Sequence, residues 1–168
     1  SKDLAQFENL KFSVNQDKYF DDTNLENFDH YQIVLKDGVL ISENINEEGL
    51  RITKYKKDNF YEIKKNQILD FNNAFFTPGY EIKVEKDYQV KKPIVICNYF
   101  SKDFEGNNIN NKSFIFLDIN AKVEIYEKNI FDKENLIFFT KNLDIELKQN
   151  ANLIKYYLNS TNKNKTIY

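Results

Sequence analysis

LDINAKVEIYEKN (Leu117–Asn129) and LKQNANLIKYYLN (Leu147–Asn159) are two versions of one pattern. Each reads Leu, two residues, Asn-Ala, four residues, Tyr, and Leu117/Leu147, Asn120/Asn150, Ala121/Ala151 and Tyr126/Tyr156 share an offset of 30 positions. A fixed offset of that size marks a structural unit that stacks on its own copy. Inside the units apolar residues alternate: Ala121, Val123 and Ile125 in the first, Ala151 and Leu153 in the second. Period two is the mark of a strand with one buried face. The strands are separated by short polar corners, Asp118-Ile119-Asn120 and Lys148-Gln149-Asn150. Asn and Asp are the non-glycine residues that enter the left-handed backbone region most readily, so the corners predict a positive φ. Ala just after each corner suits a crowded inner wall.

The same grammar runs upstream. Glu85-Lys86-Asp87 is a third corner, with Tyr80, Ile82 and Val84 before it and Tyr88 and Val90 after it. Ile94 and Ile96 follow Pro93; Phe114 and Phe116 precede the second corner; Leu143, Ile145 and Leu147 precede the last. Near the start, Tyr31, Ile33 and Leu35 alternate up to Asp37-Gly38, after which Val39 and Ile41 resume, a strong hairpin signal. Leu50 and Ile52 begin another strand that reaches toward Lys54-Tyr55. Residues 56–73 hold no clear period. Residues 1–28 carry a brief helical spacing at Leu4, Phe7 and Leu10 and then a polar run, which reads as a linker or frayed N-terminal segment. Residues 29–168 are left as one β domain. Strand, corner, strand and longer return, repeated at a fixed offset without Gly-rich hairpins, points to stacked coils as in a parallel β-helix. An antiparallel sandwich is the rival, and strand direction separates the two.

Composition excludes several classes of function. The chain of 168 residues can bury a core, and no apolar run is long enough to span a membrane. The formal net charge of −2, with both signs mixed along the chain, argues against a nucleic-acid surface. Asn, Ile, Lys, Phe and Tyr are abundant and Arg51 is the sole Arg, the mark of an AT-rich coding sequence. Motifs built from Asn therefore carry little weight, including the glycosylation sequons at Asn111-Lys112-Ser113 and Asn159-Ser160-Thr161. The single Cys97 rules out an internal disulfide and fits a reducing compartment. There is no Met, even at position 1, and the expectation is a piece of something longer.

The residues that could carry chemistry have plainer explanations. Cys97 lies in the apolar strand IVICNYF without neighbouring ligands and reads as a small buried hydrophobe. His30, between Asp29 and Tyr31, reads as a surface residue. Asp21-Asp22 and Glu47-Glu48 are adjacent pairs whose side chains diverge on a strand, so they read as solvated loop charge. DFEGNN (Asp103–Asn108) lacks the alternating acids of a calcium loop. The four isolated Gly build no phosphate cradle, and the aromatics fit an interior better than a stacking surface. No catalytic, cofactor-binding or metal residue is assigned.

Taken in order, YQIVLKDGVLIS (Tyr31–Ser42), GLRITKY (Gly49–Tyr55), NNAFFTPGYEIKVEKDYQVKKPIVI (Asn72–Ile96) and the two Asn-Ala units resemble SufD, and more distantly SufB, scaffold proteins of the Suf iron–sulfur cluster assembly system. The signposts Asn73-Ala74-Phe75, Gly79, the Ile82/Val84 strand and Pro93-Ile94 carry the resemblance over roughly residues 30–158, by their order rather than by any one motif. The resemblance implies a right-handed parallel β-helix. It implies a SufB-like partner and a SufC-like ATPase, the latter gripped by a helical domain after the β-helix, with the iron–sulfur cluster as cargo of the whole complex. It further implies a non-enzymatic scaffold in the cytoplasm or a plastid-type organelle. In that family the cluster-assembly residues, including a His, lie late in the β-helix; here the sole His is His30, so none is carried over. The chain stops at Tyr168, which makes the expectation a fragment lacking the later coils and the helical domain, able to self-associate through its last rung. The alternative from another class is a carbohydrate-binding or carbohydrate-active β domain, which needs clustered acids and exposed aromatics in one groove.

Overall fold

The computed structural model of the chain describes residues 29–43, 45–56, 76–101, 108–131 and 138–158. The readings made on residues 1–28, on 57–73, on Asp103 to Asn107 and on the Asn159 sequon lie outside these. Nine strands occur among the described residues, and no helix: β1 (Tyr31–Lys36), β2 (Val39–Glu43), β3 (Leu50–Lys54), β4 (Thr77–Val84), β5 (Ile94–Phe100), β6 (Asn108–Leu117), β7 (Lys122–Phe131), β8 (Phe138–Leu147) and β9 (Asn152–Leu158).

The protein is all-β, with two mixed sheets ordered β2-β1-β5-β7-β9 and β3-β4-β6-β8. β1, β5, β7 and β9 pair in parallel, as do β4, β6 and β8. β2 is antiparallel to β1, and β3 to β4. From β5 onward the chain alternates between the sheets, so each strand pairs with the one two elements later. Asn108 faces Phe138 and Lys122 faces Asn152, which is the offset seen in the sequence repeat. The parallel pairings exclude the all-antiparallel sandwich.

The corners are as expected. Asp87, Asn120 and Asn150 have φ of 59, 57 and 57°. Each turn closes on itself, with Tyr88, Ala121 and Ala151 donating their N–H to Glu85, Asp118 and Lys148 carbonyls. Each also hands sheet bonds to the next rung: Asp87 N–H donates to Ile119 O at 2.8 Å, and Asn120 N–H to Gln149 O at 3.0 Å. The side chains stack in the same order, Asn150 Nδ2 on Asn120 Oδ1 (3.1 Å) and Asn120 Nδ2 on Asp87 Oδ1 (2.6 Å). One expectation fails nearby. Tyr88 and Val90 form no strand; the segment makes one bridge, Gln89–Lys122, ahead of β5, although both side chains still pack against the apolar core.

The Asp37-Gly38 hairpin has φ of 49 and 84°, both positive, as its two-residue loop requires. Its turn is anchored to the stack. The Asp37 carboxylate accepts from Ser101 N and Oγ at 2.8 and 2.7 Å, and Gly38 O accepts from Asn111 Nδ2 at 2.6 Å.

The interior is layered along the strands. Next to the corners lies an apolar cluster that includes Ile33, Leu35, Ile82, Val84, Ile94, Ile96, Ile115, Leu117, Val123 and Ile125. At the far end Phe100, Ile109 and Phe139 form a second one, with Phe100 and Phe139 edge to face at 5.0 Å. Between them, at positions in the same inward phase, the residues are polar: Asn98 on β5, Asn111 and Ser113 on β6, Glu127 and Asn129 on β7, Lys141 on β8 and Lys155 on β9.

The last rung departs from the sequence reading. Ile145 and Leu147 are in register with Ile115 and Leu117, which are 0% exposed, yet they are themselves 49% and 47% exposed. Alternation marks them as inward; β8 is the final strand of its sheet, and that edge leaves them open.

The corner geometry yields a test. Asn120→Ala places an ordinary residue in the left-handed region and removes the central rung of the amide ladder, and should cost about 1–2 kcal/mol. Asn120→Gly removes the backbone strain and should cost less than Ala. Urea unfolding midpoints read both, and equal losses would show that the ladder, not the backbone, governs the corner.

Candidate functional site

The polar layer converges on one carboxylate. Glu127 sits midway along β7, inward, with its side chain 2% exposed. Lys141 from β8 and Lys155 from β9 each pair with it, one ammonium per oxygen, at side-chain exposures of 12% and 9%. Asn98 Nδ2 donates to the same carboxylate at 2.7 Å and to Asn129 Oδ1 at 3.0 Å. Lys141 Nζ also donates to Tyr80 Oη at 3.1 Å and lies over the Tyr80 ring. Lys155 Nζ lies 3.9 Å above the centre of the Tyr157 ring. The network continues on the other sheet, where Ser113 Oγ accepts from the Tyr80 N–H (3.3 Å) and donates to Asn111 Oδ1 (2.9 Å).

The charges shape one another. Burial alone would raise the Glu127 carboxyl, but the two ammoniums beside it outweigh that and hold it at about 2. Burial drives Lys141 down to about 8; Glu127 pulls it back up in part and Lys155 adds to the lowering. Two ammoniums and one carboxylate leave one formal positive charge in excess. Such a cluster can hold an anion or store a proton.

The residues singled out in the sequence do not meet here. Cys97 on β5 points to the opposite face of its strand from Asn98, is fully buried, and burial pushes its thiol up to about 12, with Gln32 and Lys128 pulling the other way. A neutral buried thiol is a packing residue. His30 is half-buried just ahead of β1, rather than on the open surface as the sequence suggested. Glu48 is exposed, but Glu47 is not loose loop charge: its Oε1 accepts from Tyr31 Oη (2.7 Å) and from Lys91 N (3.1 Å), tying β1 to the segment before β5. Burial first, and then Glu47, push the Tyr31 hydroxyl up to about 12. Asn111, a sequon residue, is 0% exposed and spends its amide on Gly38 and Ser113, so the folded protein offers it to no glycosyl donor. Among the described residues no group of three His, Cys, Asp or Glu is placed to hold a metal ion.

Glu127, Lys141 and Lys155 escaped the sequence reading because they are 14 and 28 positions apart. The available signal was a phase break. Counting in twos from Val123 and Ile125 reaches Glu127; from Leu153 it reaches Lys155; backward from Leu143 it reaches Lys141.

Stability should therefore change at both ends of the pH scale. The Glu127 carboxyl is depressed in the folded state, so its contribution is complete above about 4.5 and lost as pH falls toward about 2, a change on the order of 3 kcal/mol. Lys141 is also depressed, so from about 8 upward it makes stability rise with pH, until the raised Cys97 thiol works the other way above about 9. Denaturation profiles should show the acid arm and, between about pH 8 and 9, a rise that Lys141→Met lacks. Glu127→Gln, which strands two buried ammoniums, should cost about 3–5 kcal/mol at neutral pH.

No protein-family model matches the chain, and no curated protein matches it either.

Proposed function

We propose that the chain is a non-enzymatic scaffold of iron–sulfur cluster assembly, SufD-like, working with SufB-like and SufC-like partners, and that its strands wind as a right-handed parallel β-helix. The observation that carries the reading is the combination of parallel rungs at a repeated register with a last rung whose apolar side chains are uncovered. Ile145, Leu147, Ile154, Tyr156 and Tyr157 are all exposed on β8 and β9. The edges of those two strands offer unpaired backbone groups, a ready template for a strand from another chain. The opposite end differs, because β2 and β3 fold back antiparallel. The two ends of the stack are therefore unlike, which suits a part that assembles in one direction.

Two further features fit a scaffold better than an enzyme. The acidic pairs that the carbohydrate alternative would need are not gathered into a groove: Glu47 is engaged with Tyr31 and Lys91, and Asp21-Asp22 lies outside the described residues. The large aromatics Tyr80, Phe100, Phe114 and Tyr126 are buried rather than displayed. Among the described residues no helix is long and apolar enough to cross a membrane. A cytoplasmic or plastid-type location belongs to the same proposal.

The experiment is a pull-down of the protein with the SufB- and SufC-like proteins of the same cell. It should retain the SufB-like partner. Capture of neither would sink the assignment. Light scattering of residues 1–168 should show concentration-dependent association that Ile145→Lys with Leu147→Lys weakens at least tenfold; a monomer at every concentration would remove the open rung as its docking surface.

A further inference from the structure

We infer that the Lys141–Lys155 pair, with Glu127, Asn98 and Tyr80, forms a binding site for one compact oxyanion, a tetrahedral or planar group of three or four heavy-atom oxygens at most. Hydrogen-bond capacity makes the case. Each ammonium has three N–H donors. Lys141 directs one to Glu127 and one to Tyr80 Oη, and Lys155 directs one to Glu127. Among the described residues no other oxygen receives the remaining three. The Tyr80 hydroxyl, accepting from Lys141, keeps its own proton to donate. Four donors and one uncompensated positive charge thus gather in a layer closed on both sides along the strands by apolar clusters.

Asn98 gives the second, independent sign. Its Nδ2 is spent on Glu127 and Asn129, while its Oδ1 is buried with no hydrogen-bond partner, in a residue 1% exposed. A buried acceptor left unmatched beside buried donors left unmatched is costly on both counts. A bound anion with its companion water satisfies both; an apolar ligand satisfies neither. Access fits a small ion. The two lysines stand on β8 and β9, the last strands of their sheets, and Tyr157, over which Lys155 lies, is 62% exposed. The lysine side chains are themselves 12% and 9% exposed, so the cluster is not sealed from solvent. The site needs no partner protein and stands apart from the scaffold reading.

The test is thermal unfolding of the full chain in sodium sulfate and in sodium formate, each against sodium chloride at matched ionic strength. Tm should rise saturably with one of them, by about 3–5 °C for each tenfold increase above its Kd. Sulfate also stabilises proteins by exclusion from their surfaces, so variants are needed as controls. Lys155→Met removes the surplus charge and leaves Glu127 and Lys141 as a matched pair; it should fold and lose the anion-specific rise. Lys155→Arg keeps the charge and should retain it. An identical salt response in the wild type and both variants would overturn the site. If Lys155→Met does not fold, calorimetric titration of the wild type decides: saturable heat with sulfate or formate supports the site, and its absence with both removes it.

Discussion

Everything in this fold hangs on a residue that must sit in the left-handed backbone region once per rung. Asp87, Asn120 and Asn150 do so within 2° of one another, and their side chains stack, each Asn amide donating to the residue one rung back. The corner sends the chain from one sheet to the other without a hairpin, so the next strand must pair in parallel with the strand two elements back. Parallel pairing then forces like positions onto like positions. Ile115 lies beside Ile145 and Leu117 beside Leu147 because the corner repeats, not because those side chains chose one another. A small set of constrained φ values thereby fixes two sheets and one core.

The same constraint explains what could be read from the amino-acid sequence. The corners and the Asp37-Gly38 hairpin are local: a few neighbouring residues carry the whole signal, and they appear where expected. Strand phase is less legible, because β2 and β6 are apolar on both faces: the alternation follows Val39/Ile41 and Phe114/Phe116, and the core takes Leu40, Ile115 and Leu117. The sequence reading failed where the answer depended on stacking. Tyr88 and Val90 have strand-like spacing, but the corner at Asp87 holds their backbone to a single bridge with Lys122. Ile145 and Leu147 have core-like phase, but being inward is not being buried when, among the described residues, no strand lies beyond β8 in its sheet. Glu47 looked like loop charge because Tyr31 and Lys91, the groups that claim it, are 16 and 44 positions away.

The polar cluster is the sharpest case of non-local assembly. Its members come from β4, β5, β6, β7, β8 and β9, and no two adjacent residues belong to it. Pattern reading discounts a charged residue in an apolar phase as noise, whereas here the exceptions gather in one layer of the stack. Asn98 is level with Asn129 and Asn111 with Lys141, while Glu127 is level with Ile96 and Lys155 with Ile125, so long side chains reach diagonally between rungs to close the layer.

That layer does something alternation cannot. A period-two pattern is unchanged when a strand slips by two residues, so apolar phase alone leaves each rung several registers of similar burial. Slipping β7 by two against β5 would carry Glu127 and Asn129 to new heights, where Asn98 could no longer serve both. Slipping β8 by two against β6 in one direction would set Lys141 beside Ile109 in the far apolar cluster, away from the level at which it meets Glu127. An unpaired buried charge costs several kcal/mol, far more than the modest net worth of the intact pair. The buried ions therefore act chiefly against wrong registers. The corners set where each strand begins, and the polar layer penalises any strand that begins two residues early or late.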